Sequence, residues 1–404
     1  MAAAAPPPGA GAIESCDALY DPLAADVLTD PYPCFARLRA AGAVLWHDRL
    51  ASWLVTDHAT CSEVLRRTDV FASDFRRIGE EVPDAALSVQ MLDPPDHTPV
   101  RHLLAAAVRT RGIATLADDV RRIAERHVEA TPGDEPFDFV ARVARPVALE
   151  TISYVLGVAP PEGDEFEAVS NAIVRSMDGG LDPSRIEPGR EARGRLSALL
   201  DGWAGAASDD GLLGYVTTHR ERYGVPAAVA TNSVRAVLHA GYESASRLLG
   251  NAAAVLVRHP EMAPALRDPA VLDDAVEELV RLDAPVQADA RACVSDTDLA
   301  GRRLRRGDVV VLLLGAANRD PAAFDEPDSF VPTRRPNRHL GFGLGAHACL
   351  GSHLARFELS AVLAAAVGSG RALVLAGDPE QEPTATLRGL LRLPVRWEPR
   401  GGRS

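Results

Sequence analysis

The chain has 404 residues, 47% hydrophobic and 25% charged, enough to bury a large core around an apolar cavity. Its formal net charge of −13, with arginine as the only strongly basic residue type because there is no lysine, excludes a general nucleic-acid binder. No apolar run is long enough for a membrane span, and the scattered cysteines Cys16, Cys34, Cys61, Cys293 and Cys349 form neither a disulfide framework nor a zinc spacing.

The opening "MAAAAPPPGAGA" lacks the basic start and long apolar stretch of a signal peptide. It reads as a disordered tail over 1–15, ahead of a single unit over 16–404, and the protein is expected in the cytoplasm. Apolar periodicity predicts helices over 30–41, 58–67, 98–108, 114–130, 143–156, 227–257, 270–282 and 351–366. Strand-like pieces are fewer: "AVLWHD", "SWLVTD", "VVVLLLG" and "LPVRWEP". Proline and glycine place loops over 179–189 and 321–336. The expected fold class is mainly α with a small β portion (α+β), in one domain.

Chemistry-bearing residues follow the same order. In "DPPDHTPVRHLL", His97 and Arg101 stand four apart on one face of a starting helix, which by spacing alone is a solvated basic face. The long helix "RAVLHAGYESASRLLGN" carries Ala240, Gly241, Tyr242, Glu243 and Ser244; a helical serine ordinarily bonds the carbonyl of the preceding turn. "EELVRLDAP" sets Glu278 and Arg281 three apart, where a carboxylate and a guanidinium can pair.

"HLGFGLGAHACLGSHLARFEL" wraps one thiol in glycine at the start of a helix. A thiolate binds a transition metal, and its electron donation is what lets a haem iron cleave an O–O bond. Gly343, Gly345 and Gly351 allow a turn whose amides point at one atom, and the positive end of the helix favours an anionic sulfur. Phe342 is placed to shield the sulfur from water. A lone cysteine at a helix start is otherwise a small buried hydrophobe.

The stretch "FGLGAHACLG" resembles the haem-binding signature of the cytochrome P450 family, with Phe342, Gly343, Gly345, His347, Cys349 and Gly351 in register. Glu278 and Arg281 resemble the family's Glu-x-x-Arg element. "PDSF" places Ser329 where many relatives carry arginine, which leaves Arg334, Arg335 or His339 as third partner of the pair. The resemblance runs from about 30 to 395 and is weakest over 157–226. It implies a haem b cofactor with Cys349 as iron ligand, and with His97, Arg101, Arg291 and His347 on its propionates. It also implies that Ala240 and Gly241 lie over the haem, Gly241 leaving room for dioxygen. Glu243 would gate or relay protons, and Ser244, serine in place of the usual threonine, would hydrogen-bond the bound oxygen or an ordered water. His239 and Tyr242 are open between substrate contact and helix packing.

By the same resemblance, substrate contacts would come from 71–92, 171–188, 238–242, 286–289 and 387–391, including Arg76, Arg77, Gln287 and Asp289. No flavin or iron–sulfur motif is evident, so electrons would come from NAD(P)H through a ferredoxin reductase and a ferredoxin docking near Arg66, Arg67, Arg109, Arg111 and Arg356. The expected activity is hydroxylation or epoxidation of a small organic molecule, free or bound to a carrier protein, in specialised-metabolite biosynthesis. Oxidative coupling or cyclisation at the same haem is the alternative, and a non-catalytic haem carrier is a third.

Overall fold

The described residues of the computed structural model are 15–110, 112–203, 207–208 and 210–399. Residues 1–14 of the expected tail, and Arg111, lie outside them; Ser15 is placed, its hydroxyl donating to Asp17 at 2.6 Å.

In chain order the helices are α1 (Ala25–Thr29), α2 (Tyr32–Ala41), α3 (His58–Arg66), α4 (His97–Arg109), α5 (Ile113–Glu129), α6 (Arg145–Leu156) and α7 (Gly163–Met177). They continue as α8 (Ile186–Trp203), α9 (Leu212–His219), α10 (Ala227–Arg258), α11 (Pro269–Leu282), α12 (Leu314–Ala317) and α13 (Ser352–Gly368). The strands are β1 (Val44–His47), β2 (Ser52–Val55), β3 (Phe71–Ala72), β4 (Phe137–Asp138), β5 (Ala288–Cys293) and β6 (Thr297–Leu299). After them come β7 (Arg302–Leu304), β8 (Val309–Leu313), β9 (Arg371–Leu375), β10 (Glu380–Gln381), β11 (Leu390–Arg392) and β12 (Pro394–Pro399). The fold is mainly helical with a small strand portion, as expected.

Periodicity places eight of these helices within two residues of their ends, because each carries its apolar face and end signals locally. Asp57 caps α3 by accepting from the Thr60 amide at 2.8 Å. Asp268 does the same for α11, with Pro269 in its first turn. By contrast α7, α8 and α9 were not expected, and α8 begins inside the predicted loop at 179–189. Pro188 sits in its first turn, where no intrahelical partner is lost. Gly189 is there for contact: a side chain at that position would overlap Ser176 of α7. The turn residues of the sequence are thus the start of α8 and its closest contact with α7.

The principal sheet runs β1-β2-β8-β5-β3, with β2 and β8 parallel and the other neighbours antiparallel. All four residues of β1 and of β2 are buried, consistent with a strand covered on both faces. The larger core lies among the helices and is threaded by α10, which at 32 residues is about 48 Å long. Helix α10 packs on α6 and α13, and α13 packs on α5 and α11.

The segment between α12 and α13 is held by one buried pair. Arg281 donates to both Glu278 carboxylate oxygens at 2.7 and 2.9 Å, and both side chains are fully buried. The guanidinium also donates to the carbonyls of Asn318, Pro327 and Ser329. Arg334 is the third partner, its Nε 3.0 Å from each Glu278 oxygen, while Arg335 bonds Asp274 and His339 meets Glu277. Ser329 therefore contributes a backbone carbonyl, and its side-chain identity is not used by the pair. Asn318 Oδ1 accepts from the Leu340 amide at 2.7 Å, which carries the constraint to the edge of the cysteine loop.

A second tie joins α11 to α13. Burial works against the charge of Glu277, yet hydrogen bonds from Arg356 and His339 outweigh it and hold the carboxyl at about 2. Stability from this group is full above its ordinary value of 4.5 and is lost as pH falls through about 2. Glu277→Gln is expected to flatten the pH dependence of the urea midpoint between those values. Arg334→Ala leaves a buried carboxylate under-compensated and is expected to cost about 3 kcal/mol, whereas Ser329→Ala stays within about 0.5 kcal/mol; urea unfolding of the two variants side by side checks both.

Candidate active site

Cys349 is exposed, whereas Cys16, Cys34, Cys61 and Cys293 are all buried. Its amide donates to the Phe342 carbonyl at 2.8 Å. Gly345 holds φ +78°, and a Cβ there would lie 2.5 Å from the Leu65 carbonyl oxygen of α3, so only glycine lets the loop pass the end of that helix. Gly343, at φ +63°, closes the turn with its amide on Leu340 O at 2.9 Å. Gly351 caps α13. Although Cys349 remains exposed, protein crowds its sulfur. That burial pushes the thiol up, opposed by a hydrogen bond from the Gly351 amide and by the charges of Arg101 and Arg356. The loop alone therefore does not keep the sulfur anionic; a bound cation does so directly. The Phe342 ring lies under the Arg356 guanidinium, 4.4 Å from it, and 5.7 Å from the His339 ring, and it packs against the main apolar core.

Three of the expected propionate partners come together. His97, at the start of α4, is buried with Nε2 unpartnered, and its ring lies 4.6 Å from that of His347. Burial first, and then His347 and Arg101, hold its imidazole down to about 4. Arg101 is one turn along the same helix and acts on both His97 and Cys349. Arg291 is buried on β5 and paired with Asp289 at 2.7 Å.

On α10, the Ser244 hydroxyl donates to Ala240 O at 2.7 Å, the ordinary helical bond, which leaves its oxygen free to accept. Glu243 is buried and bridged to Arg247 at 2.9 Å through Oε2, while Oε1 has no partner. A Cβ at Gly241 would lie 2.5 Å from Ile152 Cδ1, so the glycine admits α6 against α10. His239 and Tyr242 are packing residues, His239 buried beside Ser170 O and Tyr242 edge-on to Phe166 at 5.0 Å.

The polar residues expected in the substrate pocket are engaged by protein. Arg76 is bridged to Asp74, Arg77 to Asp93, and Asp289 to Arg291; Gln287 donates to Ala284 O at 2.6 Å. Among the arginines expected to meet a ferredoxin, Arg66 and Arg109 are exposed, Arg67 pairs with Glu63, and Arg356 is committed to Glu277.

Two participants were not read from the sequence. Asp93 is buried and accepts from His347 at 3.1 Å, from Arg77, and from the amides of Ser73 and Asp74; its place in a proline-rich turn gives no local sign of this. Arg247 did have a sign, the Glu-to-Arg spacing of four.

These residues suit a haem. One exposed thiol supplies a soft ligand, and an unpartnered buried imidazole nitrogen with a nearby guanidinium suits carboxylates removed from water. Among the described residues no group of three or more His, Cys, Asp or Glu side chains is placed to hold a metal ion, and no helix is long and apolar enough to cross a membrane.

Comparison with known proteins agrees. The family model described as Cytochrome P450 matches residues 258–396. Cytochrome P450 monooxygenase PikC of Streptomyces venezuelae is 34% identical over 391 residues, 93% of each chain. The 20-oxo-5-O-mycaminosyltylactone 23-monooxygenase of Streptomyces fradiae is 31% identical, covering 93% of this chain and 92% of its own. The structure of P450BioI in complex with hexadec-9Z-enoic acid ligated acyl carrier protein superimposes with a TM-score of 0.80 at 26% identity, over 92% of this chain and all of that one. Similar to named monooxygenases along nearly its whole length, this chain belongs to the cytochrome P450 family and is a monooxygenase that binds haem b and draws electrons from NAD(P)H through redox partners.

Proposed function

We propose that the enzyme hydroxylates or epoxidises a small organic substrate of specialised metabolism, free or tethered to a carrier protein, with Cys349 as its iron ligand. The observation that carries this reading is the exposed Cys349 thiol between the charges of Arg101 and Arg356. The Streptomyces relatives support the substrate class, and the acyl-carrier complex of P450BioI supports the tethered form. We place the enzyme in the cytoplasm, as one unit from residue 16 onward, with exposed Arg66 and Arg109 facing a ferredoxin.

Haem supplies the iron at which dioxygen is reduced and split. The protein's part is positioning and proton handling. His97, His347 and Arg101 hold the propionate side, with Arg291 set by Asp289 as a further contact, and Asp93 orients the His347 ring. Phe342, Gly343 and Gly351 shape the loop that presents the thiol. Ala240 and Ser244 lie one turn apart on α10 and would line the oxygen side of the bound haem. The Ser244 hydroxyl spends its proton on Ala240 O, so its oxygen accepts a hydrogen bond from water or from the reacting group. The free Oε1 of Glu243 is where a proton is taken up and passed toward Ser244, while Arg247 holds Oε2 still. An acid and an alcohol in sequence are what proton-coupled dioxygen chemistry asks of a helix.

Turnover under isotopically heavy dioxygen tests the reading: label in the product supports oxygen insertion, and a reproducible unlabelled product rejects it for that substrate. Cys349→Ser is expected to abolish product formation and the thiolate-type spectrum of the reduced carbon monoxide complex. Ser244→Ala is expected to cut product formed per NAD(P)H about tenfold or more, with hydrogen peroxide rising to match; unchanged product yield and unchanged peroxide would remove Ser244 from the proton route.

A further inference from the structure

Ion pairs tie together many of the charged side chains where α7, α8 and α10 meet. Glu243 is bridged to Arg247, and Glu167 of α7 to Arg145 at 2.7 Å. Two further guanidinium groups stand in the same region, Arg193 on α8 and Arg235 on α10, and among the described residues neither forms an ion pair with a carboxylate. Arg235 is half-buried and donates to Ser197 Oγ at 2.6 Å and to the Ala85 carbonyl. Arg193 reaches solvent and donates to Ser176 Oγ at 2.9 Å. Ser197 in turn donates to the Arg193 carbonyl at 2.9 Å, so one serine links the two positions. Gly189, one turn before Arg193, lets α8 approach Ser176 and so sets Arg193 over α7. Asp84, next to the Ala85 carbonyl that Arg235 meets, is held by its backbone carbonyl on Asn232.

Burial lowers both guanidinium groups below the ordinary arginine value, and for Arg193 the neighbouring Arg235 lowers it further. Arg193 also acts on His239 in the α10 stripe that leads to Glu243. Two guanidinium groups linked through Ser197, with only serine and carbonyl oxygens as protein acceptors, leave donors that an anion can take up.

We propose that Arg193 and Arg235 form an oxyanion subsite that receives the polar end of the substrate, a carboxylate or a phosphate ester. This deepens the monooxygenase reading and rests on it. Arg235 precedes Ser244 by nine residues on α10, about 14 Å along the axis, so the substrate is long and is held by its charged end while a distant carbon reaches the reacting oxygen. Guanidinium forks suit both anions. A free acid would bring the first, and the arm of a carrier protein the second.

The test is a binding titration on the haem-loaded enzyme, read by the haem absorbance shift. Hexadecanoate is compared with its methyl ester, and the hexadecanoyl thioester of phosphopantetheine with that of pantetheine. The charged member of at least one pair is expected to bind about tenfold tighter, with the preference shrinking at high salt. Arg193→Gln and Arg235→Gln are expected to remove the preference while leaving the neutral member unchanged, and Arg193→Lys to retain part of it. Which pair responds identifies the source of the anion. No preference in either pair, or one that survives both substitutions, overturns the subsite. A thiolate-type carbon monoxide spectrum in every variant shows that such a failure belongs to the subsite and not to the monooxygenase reading, whose own failure is the loss of that spectrum in the unsubstituted enzyme.

Discussion

A carboxylate with no access to water sets the terms for the rest of this structure. Glu278 is fully buried, and a buried charge persists only where donors converge on it. Arg281, Arg334, Asn337 and the Val331 amide all do so. Most of those donors lie in the irregular segment after α12, which is thereby drawn over α11. Arg281 also gathers the carbonyls of Asn318, Pro327 and Ser329, satisfying backbone groups that a buried loop would otherwise leave unpaired. From Asn318 the restraint passes to Leu340, and from Phe342 to the Cys349 amide. The exposed thiol is thus placed by a chain of hydrogen bonds that begins at a side chain with no chemical part in the reaction.

On α10 adjacent stripes do different work. Ala240 and Ser244 form one, with the hydroxyl turned onto its own helix. Glu243 and Arg247 form the next, paired and buried. Gly241 belongs to neither, since its missing side chain is what brings α6 close enough for Ile152 to touch the helix. Close packing on one side and ion pairing on the next hold Ser244 and Glu243 in place without using them up: one oxygen of Glu243 stays unpartnered. The same economy shows at His97, buried with a ring nitrogen free beside His347. Toward the start of the helix Arg235, with Arg193 of α8 nearby, has no carboxylate partner among the described residues.

Much of this was legible in the residues themselves. The glycines around Cys349, the three-residue spacing of Glu278 and Arg281, and the four-residue spacing of His97 and Arg101 are local patterns, and a helix or turn converts local spacing directly into shared position. The same reasoning explains why eight helices could be placed near their true ends. It failed over 157–226, where Pro188 and Gly189 suggested a loop; the first is tolerated in a starting turn and the second is demanded by Ser176 of another helix.

What the sequence by itself determined is therefore the fold class, the thiol loop, the acid and alcohol of the long helix and the buried pair behind the loop, because each is written within a few residues. Tertiary structure alone decided which arginine completes Glu278, that Asp93 meets His347, why position 241 is glycine, that Arg291 answers to Asp289, and that two arginines from different helices share one region without a carboxylate. In most of these, long-range contact chose among side chains of equal local merit, and burial fixed which charge had to be answered; neither quantity is carried by spacing along the chain.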